Sequence, residues 1–357
     1  MEYGFYLPNS GAGVEPNALS DIAKLGDRLG FFCMVMPDHV LQPNQVNSTY
    51  PYSLTGDILE AGQSGDGEWP EQITTLAYLA GITDQIKLVT SVMIIPYRNP
   101  ILTAKMLSTL DMLSKGRLIL GAGVGWMEEE FELLDTEPFA ERGAVTNEYL
   151  RAFIELWTSD NPTFEGKYVN FSDITFLPKP VQKPHPPIWI GANADIAIKR
   201  AARLGDCWYI NPHNKISTIK KQVEIYKKAL DKVGKPFPDE FPMRREVFVA
   251  ETREKALRYA GPYLKQKYDA YQKWGQGNQM PKTDDDLTAA FDELAGDRFI
   301  IGSPEEVTDQ IVNLNREIGT NHLIMSINWA DMPHSLTMET MEILGERVFP
   351  QVRQVIC

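Results

Sequence analysis

The chain has 357 residues, of which 43% are hydrophobic and 23% charged, and its net charge is −13. This composition is that of an ordinary globular protein, and the acidic balance excludes the broad basic surface typical of nucleic-acid-binding proteins. The start of the chain has no basic segment followed by an apolar one, and no stretch reaches the ~18 apolar residues of a membrane span, so we expect a cytoplasmic protein.

Three cysteines, Cys33, Cys207 and Cys357, are spread along the chain. Their spacing fits neither a metal-binding pattern nor an even set of disulfides, so we predict no metal site. Cys33 and Cys207 lie in apolar runs, which is typical of buried thiols in a reducing compartment.

Short apolar runs alternate with longer amphipathic stretches, and this rhythm predicts strands followed by helices. Eight runs are predicted as strands: 3–7, 32–36, 86–92, 117–122, 188–191, 207–210, 244–250 and 322–326. The predicted helices cover 17–30, a segment from near 70, 100–113, 146–157, 195–204, 215–233, 253–274, 305–318 and 335–348. Eight strands alternating with helices is the count of a (β/α)8 TIM barrel, whereas open doubly wound sheets usually have five or six.

Two connections are too long for ordinary loops and are predicted to be insertions. One covers about 40–68, after the second strand, and the other about 275–298, before the last helix and strand. Neither brings the apolar pattern of a second core. We therefore expect residues 1–357 to form one barrel domain.

Strand ends are the first places to look for chemistry, because such a barrel carries its active site at the carboxyl ends of its strands. Asp38 and His39 follow the second predicted strand. An Asp–His pair there can orient an imidazole for proton transfer or for a hydrogen bond to a cofactor. The alternative is that Asp38 caps the next turn beside a partly exposed His39. Ser91 and Val92 end the third strand and by themselves indicate an ordinary buried run.

A glycine-rich segment, residues 121–126, ends the fourth predicted strand and contains Gly123 and Gly125. Glycines at this position allow a ligand to approach the backbone, although the spacing is not that of the dinucleotide-binding GxGxxG motif. Trp126 either stacks on a planar ligand or covers the barrel mouth. The acidic run 128–130 is predicted to open a helix, where the helix dipole favours negative charge.

An anion site is predicted after the fifth strand, where residues 191–193 lead into a helix. Free backbone N–H groups and the helix dipole bind anions at such a turn, whereas the alternative is that Asn193 simply caps the helix. Arg142, which precedes an earlier helix, can pair with a phosphate or with Glu141 or Glu148.

Taken together, these motifs resemble the bacterial luciferase-like monooxygenase superfamily. The resemblance is carried by residues 96–100 with 118–131, by 178–191 with 200–206, and by the first and last strands. It covers nearly the whole chain. The resemblance implies a (β/α)8 barrel, often dimeric, that uses reduced FMN or the deazaflavin F420.

The resemblance also implies roles for individual residues. Asp38 and His39 match an Asp–His pair near the flavin ring and the substrate, and Ser91–Val92 matches a site that often has a non-proline cis peptide beneath the ring. The remaining cofactor-binding positions that it implies are Gly123 and Gly125 along the cofactor, Gly191, Ala192 and Asn193 at its phosphate, and Arg142 as a second phosphate partner.

The leading hypothesis is a two-component monooxygenase that receives reduced FMN from a partner reductase and uses O2 to oxygenate a small organic substrate. His39 is the candidate for hydrogen bonding or proton transfer.

The second hypothesis is an F420-dependent hydride-transfer enzyme, although the charged F420 tail would favour a basic groove. The third is a non-catalytic flavin-binding protein, against which the presence of Asp38, His39 and the glycines argues. The insertions at 40–68 and 275–298 are expected to cover the site, so the substrate stays open.

Overall fold

The computed structural model describes residues 1–9, 11–41, 69–273, 298–329 and 332–356. The described strands are β1 Glu2–Tyr6, β2 Cys33–Met36, β3 Lys87–Thr90, β4 Met93–Ile94, β5 Leu118–Gly123, β6 Phe164–Glu165, β7 Asn170–Phe171, β8 Ile188–Ala192, β9 Cys207–Ile210, β10 Pro242–Val249, β11 Phe299–Gly302 and β12 His322–Ser326. The described α-helices are α1 Pro16–Arg28, α2 Gln72–Ala80, α3 Pro100–Leu113, α4 Glu128–Leu133, α5 Arg142–Thr158, α6 Asp195–Leu204, α7 Ile216–Val233, α8 Arg253–Lys273, α9 Pro304–Ile318, α10 His334–Ile343 and α11 Phe349–Ile356.

Eight parallel strands close into a barrel, which confirms the predicted (β/α)8 architecture. The ring runs β1-β2-β3-β5-β8-β9-β10-β12, and β12 pairs back with β1. The eight predicted strands correspond to these eight, with ends that differ by a few residues. The helices pack around the ring. Because all eight strands are parallel, their carboxyl ends lie on the same face of the barrel.

The structure adds two parallel strands that the sequence analysis missed, the two-residue β4, which pairs with β5, and β11. Strand β10 has eight residues, but its pairing with β12 ends where Glu246 faces Ser326. Strand β11 pairs with the rest of β10, from Glu246 opposite Phe299 to Val249 opposite Gly302. The run Phe-Ile-Ile-Gly was the available signal, since β-branched and aromatic residues favour strands. Residues 42–68 of the insertion predicted at 40–68, and residues 275–297 of the one predicted at 275–298, lie outside the described residues.

The amino end of the barrel is closed by a packed aromatic layer. The imidazole of His322 lies 4.9 Å from the ring of Phe32 and 5.9 Å from that of Trp189. Burial, together with the charge of the N-terminal ammonium group, lowers the pKa of His322 from 6.5 to about 4. Among the described residues, no helix has both the length and the apolar character needed to cross a membrane.

We expect His322 to make stability fall in mild acid. Its folded-state pKa is about 4 and its ordinary value 6.5, so the unfolded chain binds the extra proton between these pH values. The unfolding free energy should therefore drop by about 2 kcal/mol between pH 7.5 and 4.5 on account of this residue. Urea unfolding of the wild type and of His322→Gln at both pH values measures it. Equal pH-dependent losses in the two proteins would contradict the prediction.

Candidate active site

Asp38 lies buried at the carboxyl end of β2, but its partner is not His39. Its two carboxylate oxygens accept hydrogen bonds from Nη1 and Nη2 of Arg98, both at 2.7 Å, and Oδ2 also accepts from the Ile94 N–H at 2.8 Å. Arg98 in turn donates to Oε1 of Glu71 at 3.0 Å. The expectation that Asp38 itself orients His39 is therefore corrected, because the bidentate pair with Arg98 already engages both of its oxygens.

His39 is instead hydrogen-bonded to Glu130, the last residue of the acidic run that opens α4. The distance from Nδ1 of His39 to Oε2 of Glu130 is 3.0 Å. The same carboxylate accepts from the Tyr97 hydroxyl at 2.8 Å and from the Val40 N–H at 2.9 Å, and its side chain is fully buried. Glu130 thus does more than complement the helix dipole, which was the role that the sequence indicated.

The charges around His39 favour its protonated form. Burial lowers the pKa of His39, but the hydrogen bond and charge of Glu130, with the charge of Asp38, outweigh it and raise the pKa above 6.5. In Glu130, by contrast, burial raises the pKa. The hydrogen bonds from His39, Tyr97 and Val40 outweigh this effect of burial, so the pKa of Glu130 is lowered overall. Opposite shifts in the two partners are the signature of an ion pair.

Two tryptophans enclose the imidazole of His39. The ring of Trp69 lies 5.5 Å from it at an interplanar angle of 82°, and that of Trp126 lies 6.3 Å away at 75°. His39 retains 14% side-chain exposure. Among the described residues, neither Nε2 of His39 nor the buried Nε1 of Trp69 has a hydrogen-bond partner. Trp126 thus lies beside His39 near the barrel mouth, and both roles predicted for it, stacking on a planar ligand and covering the mouth, stay open.

The end of β3 carries the backbone feature that the resemblance implied. The Ser91–Val92 peptide bond is cis. The side chain of Val92 then fits against two glycines, because a Cβ on Gly123 would lie 2.4 Å from Val92 Cγ2 and one on Gly191 2.9 Å from Val92 Cγ1. Both glycines are therefore required by packing against Val92, whatever ligand lies beside them.

Gly125 turns the chain after β5. Its φ of +82° lies in the left-handed region, and a Cβ would also meet Ile94 Cγ2 at 2.7 Å. This turn leads directly into Trp126. The glycine is thus required by the turn that brings the tryptophan to His39.

A polar layer lies inside the barrel below Val92, and sequence reasoning did not identify it. The Tyr6 hydroxyl donates to the Ser91 carbonyl at 2.9 Å, and the hydroxyls of Ser91 and Tyr209 are 3.1 Å apart. The guanidinium of Arg244 stacks 3.8 Å over the Tyr6 ring. These side chains come from β1, β9, β10 and the bend after β3, so only closure of the barrel brings them together.

Asn193 does not cap helix α6. This excludes the alternative, given in the sequence analysis, that residues 191–193 simply form a helix cap. The N-cap residue is Ala194, and no side chain caps the helix. The Asn193 side chain instead accepts from Nδ2 of Asn214 at 2.7 Å, and its carbonyl accepts from Nε2 of Gln222 at 2.8 Å. The Ala197 N–H bonds to the Ala194 carbonyl at 2.9 Å, so the N–H groups before it are the ones without a side-chain cap among the described residues, and such groups can bind an anion or water.

Arg142 pairs with neither of the carboxylates considered from the sequence. Its Nη1 donates to the Phe139 carbonyl at 2.9 Å and its Nε to the Gly125 carbonyl at 3.3 Å, while the guanidinium stacks 3.8 Å over the Phe139 ring. Glu141 pairs with a lysine, and Glu148 accepts backbone N–H groups. Arg142 therefore keeps its positive charge available beside the β5 turn.

Arg200 is a second cation in this region that the sequence analysis did not single out. It lies buried on α6, and its Nε donates to Oδ1 of Asn147 at 2.7 Å. A Cβ on Gly143 would lie 2.8 Å from its Nη2, so the guanidinium lies against the start of α5. Burial, then the charges of Arg203 and Arg142, lower the pKa of Arg200. Arg142 and Arg200 thus place two positive charges near the start of α5, and guanidinium groups are common phosphate partners.

Comparison with known proteins agrees with the barrel fold and identifies a family. Residues 1–322 match the family model described as luciferase-like monooxygenase. The chain is 30% identical, over 99% of its length and 96% of the relative's, to the FMNH2-dependent dimethylsulfone monooxygenase of Pseudomonas putida. Its fold is similar to that of the monooxygenase RslO1 from Streptomyces bottropensis, with a TM-score of 0.78 and 23% identity over 98% of this chain and 99% of that one.

The fold is also similar to that of an F420-dependent secondary alcohol dehydrogenase, with a TM-score of 0.71 and 18% identity over 99% of both chains. At this identity the likeness concerns the fold alone, which carries many chemistries. The family match, in contrast, covers residues 1–322 of the 357. With its closed barrel and the His39 site at the carboxyl ends of the strands, the chain belongs to the luciferase-like monooxygenase family of oxidoreductases.

Proposed function

We propose that this chain is the oxygenating component of a two-component monooxygenase, which receives reduced FMN from a separate flavin reductase and uses O2 to oxygenate a small organic substrate. The observation that carries the proposal is the His39–Glu130 pair, enclosed by Trp69 and Trp126 at the carboxyl end of the barrel. A protonatable imidazole in an aromatic enclosure suits proton transfer away from bulk water. Full-length similarity to an FMNH2-dependent monooxygenase supports it.

The residues present fit a flat ring with a phosphate tail. Val92, seated against Gly123 and Gly191, offers an apolar surface for the ring. The uncapped start of α6, with Arg142 and Arg200, would hold the phosphate through backbone N–H groups and two guanidinium groups. When bound, reduced FMN supplies the electrons that activate O2.

The chain's own residues then have three tasks. His39 holds a proton at Nε2, from which it can donate to an oxygen of the reacting molecules. Trp69 and Trp126 exclude water from the side of the imidazole that they cover. Asp38, which accepts hydrogen bonds from Arg98 and from the Ile94 N–H of β4, holds the end of β2 in place, so its role is to support the backbone before His39 rather than to react.

We also propose that small sulfones are the first substrates to test, because the Pseudomonas putida relative is named for dimethylsulfone. Homodimerisation belongs to the same proposal. Helices α2 and α3 pack together and leave Tyr78, Leu102 and Leu113 exposed, and such an apolar face on neighbouring helices suits a protein interface.

The second candidate is F420-dependent hydride transfer, favoured by the fold likeness to an F420-dependent dehydrogenase. Both cofactors present a tricyclic ring and a phosphate, so the site described here accepts either. The net charge of −13 argues against the charged F420 tail. The third candidate, flavin binding without catalysis, is supported by no contact in the site.

Cofactor titration separates these candidates. We expect reduced FMN, added without oxygen, to bind with a dissociation constant in the micromolar range, and F420 to bind at least tenfold more weakly. Quenching of protein fluorescence measures both, and riboflavin serves as the control that lacks the phosphate. Micromolar binding of F420 without binding of reduced FMN would contradict the proposal. Binding of reduced FMN without oxidation of any organic substrate tested would favour the non-catalytic candidate.

A further inference from the structure

Glu130 is an unusual residue for a position without solvent exposure. An ionised carboxylate at such a place costs several kcal/mol unless a positive charge compensates it. Among the described residues, the cation that Glu130 contacts is His39, and its other donors, the Tyr97 hydroxyl and the Val40 N–H, are neutral. The carboxylate and the imidazole therefore stabilise each other's charge.

The second carboxylate near His39 cannot take this role. Asp38 forms two hydrogen bonds with Arg98, which compensates its charge, and Arg98 also contacts Glu71. The groups that face His39 are thus Asp38 from the end of β2, Trp69 before α2, Trp126 after β5 and Glu130 on α4. Of these, Glu130 is the one whose carboxylate contacts the ring.

The contact also determines which nitrogen of His39 faces away. An ionised carboxylate can only accept hydrogen bonds, so Nδ1 of His39, 3.0 Å from Oε2 of Glu130, must carry a proton. The remaining nitrogen, Nε2, has no partner among the described residues. When the ring is protonated, Nε2 is an N–H donor, and when it is neutral, Nε2 is an acceptor.

We propose that Glu130 is a positioning residue that keeps His39 protonated at Nδ1 and presents Nε2–H as the hydrogen-bond donor for an oxygen atom of the substrate. A sulfonyl or carbonyl oxygen has the acceptor lone pairs that this donor requires. The substrate part of the inference rests on the proposed function, whereas the effect of Glu130 on the His39 ring does not. Because Glu130 contacts the imidazole and not the substrate, its loss should act through the titration of His39.

The test is NMR titration of the full chain labelled with 13C and 15N in histidine. The chain has five histidines, and the His39 signals are those missing from His39→Gln. In the wild type we expect a His39 pKa above 6.5 and, at high pH, nitrogen shifts of the Nδ1–H tautomer. In Glu130→Gln the pKa should fall by at least one unit and the tautomer preference should be lost. Glu132→Gln, an exposed residue on the same helix, should match the wild type.

Two outcomes would overturn the inference. One is an Nε2–H tautomer in the wild type, which stays measurable if Glu130→Gln does not fold. The other is a His39 titration that Glu130→Gln leaves unchanged. The pH profile of sulfone oxidation is a second readout, and its acidic plateau should shift to lower pH in Glu130→Gln. If no sulfone is oxidised, the proposed substrate class fails, but the NMR titration still decides the role of Glu130.

Discussion

Replacement of His39 by alanine should lower the turnover of reduced FMN, O2 and substrate at least about tenfold, because a positioned general acid or hydrogen-bond donor contributes that much or more. The side chain lies at the carboxyl end of β2 and packs edge-on against Trp69 and Trp126, so the barrel itself should remain folded. Turnover is measured with the substrate that the sulfone screen identifies. Circular dichroism and reduced-FMN binding check the fold and the cofactor site.

The matched control is His185→Ala. His185 precedes β8, at the amino end of the barrel, and its ring lies 6.3 Å from that of Trp157 at a tilt of 38°. Its loss should leave turnover within twofold of the wild type. Wild-type turnover in His39→Ala would remove His39 from the chemistry, and so would an equal loss in both variants.

Gly121→Ala should have the largest effect on stability. A Cβ on Gly121 would lie 1.9 Å from the Thr90 carbonyl oxygen, a backbone atom of the neighbouring strand that has no rotamer to move away. Thr90 Oγ1 also donates to the Gly121 carbonyl at 2.8 Å, so relief of the clash would break this bond. We expect a loss of about 3 kcal/mol or more in the free energy of unfolding, at the upper end for overpacking.

Urea unfolding measures this loss, with Gly261→Ala as the control. Gly261 lies within α8, and a Cβ there would meet nothing within 4 Å. Alanine at this position should be neutral or stabilise by up to about 1 kcal/mol, because helix propensity favours it over glycine. A Gly121→Ala protein as stable as the wild type would mean that β3 and β5 lie farther apart than described here.

In the glycine-rich segment 121–126, the role predicted from the sequence differs from the contacts found in the structure. From the sequence, residues 121–126 indicated a backbone that a ligand approaches closely. In the structure, the space at Gly121 is taken by the Thr90 carbonyl, that at Gly123 by Val92 and that at Gly125 by Ile94 and Phe131. The structure therefore gives each glycine a packing reason, contact with β3 at Gly121, with Val92 at Gly123 and with β4 and α4 at Gly125, while the approach of a ligand stays a prediction.

What the sequence by itself determined is the local and periodic part of this protein. Each barrel strand is a short apolar run, and each helix is an amphipathic stretch between Pro, Gly or polar residues. Such patterns involve only residues close together in the sequence. They were therefore enough to predict the eight strands and the position of Asp38 and His39 at a strand end. The family resemblance also located the cis peptide at Ser91–Val92.

Only the tertiary structure decided which side chains meet. His39 and Glu130 are 91 residues apart, and Asp38 and Arg98 are 60 apart. Several carboxylates near each strand end could have paired with His39, and none is marked in the sequence as its partner. Which carboxylate pairs with His39 depends on the stagger of the strands and on the turn at Gly125. A hydrogen bond forms only at a separation of about 3 Å, and closure of the barrel sets the distances between side chains on different strands.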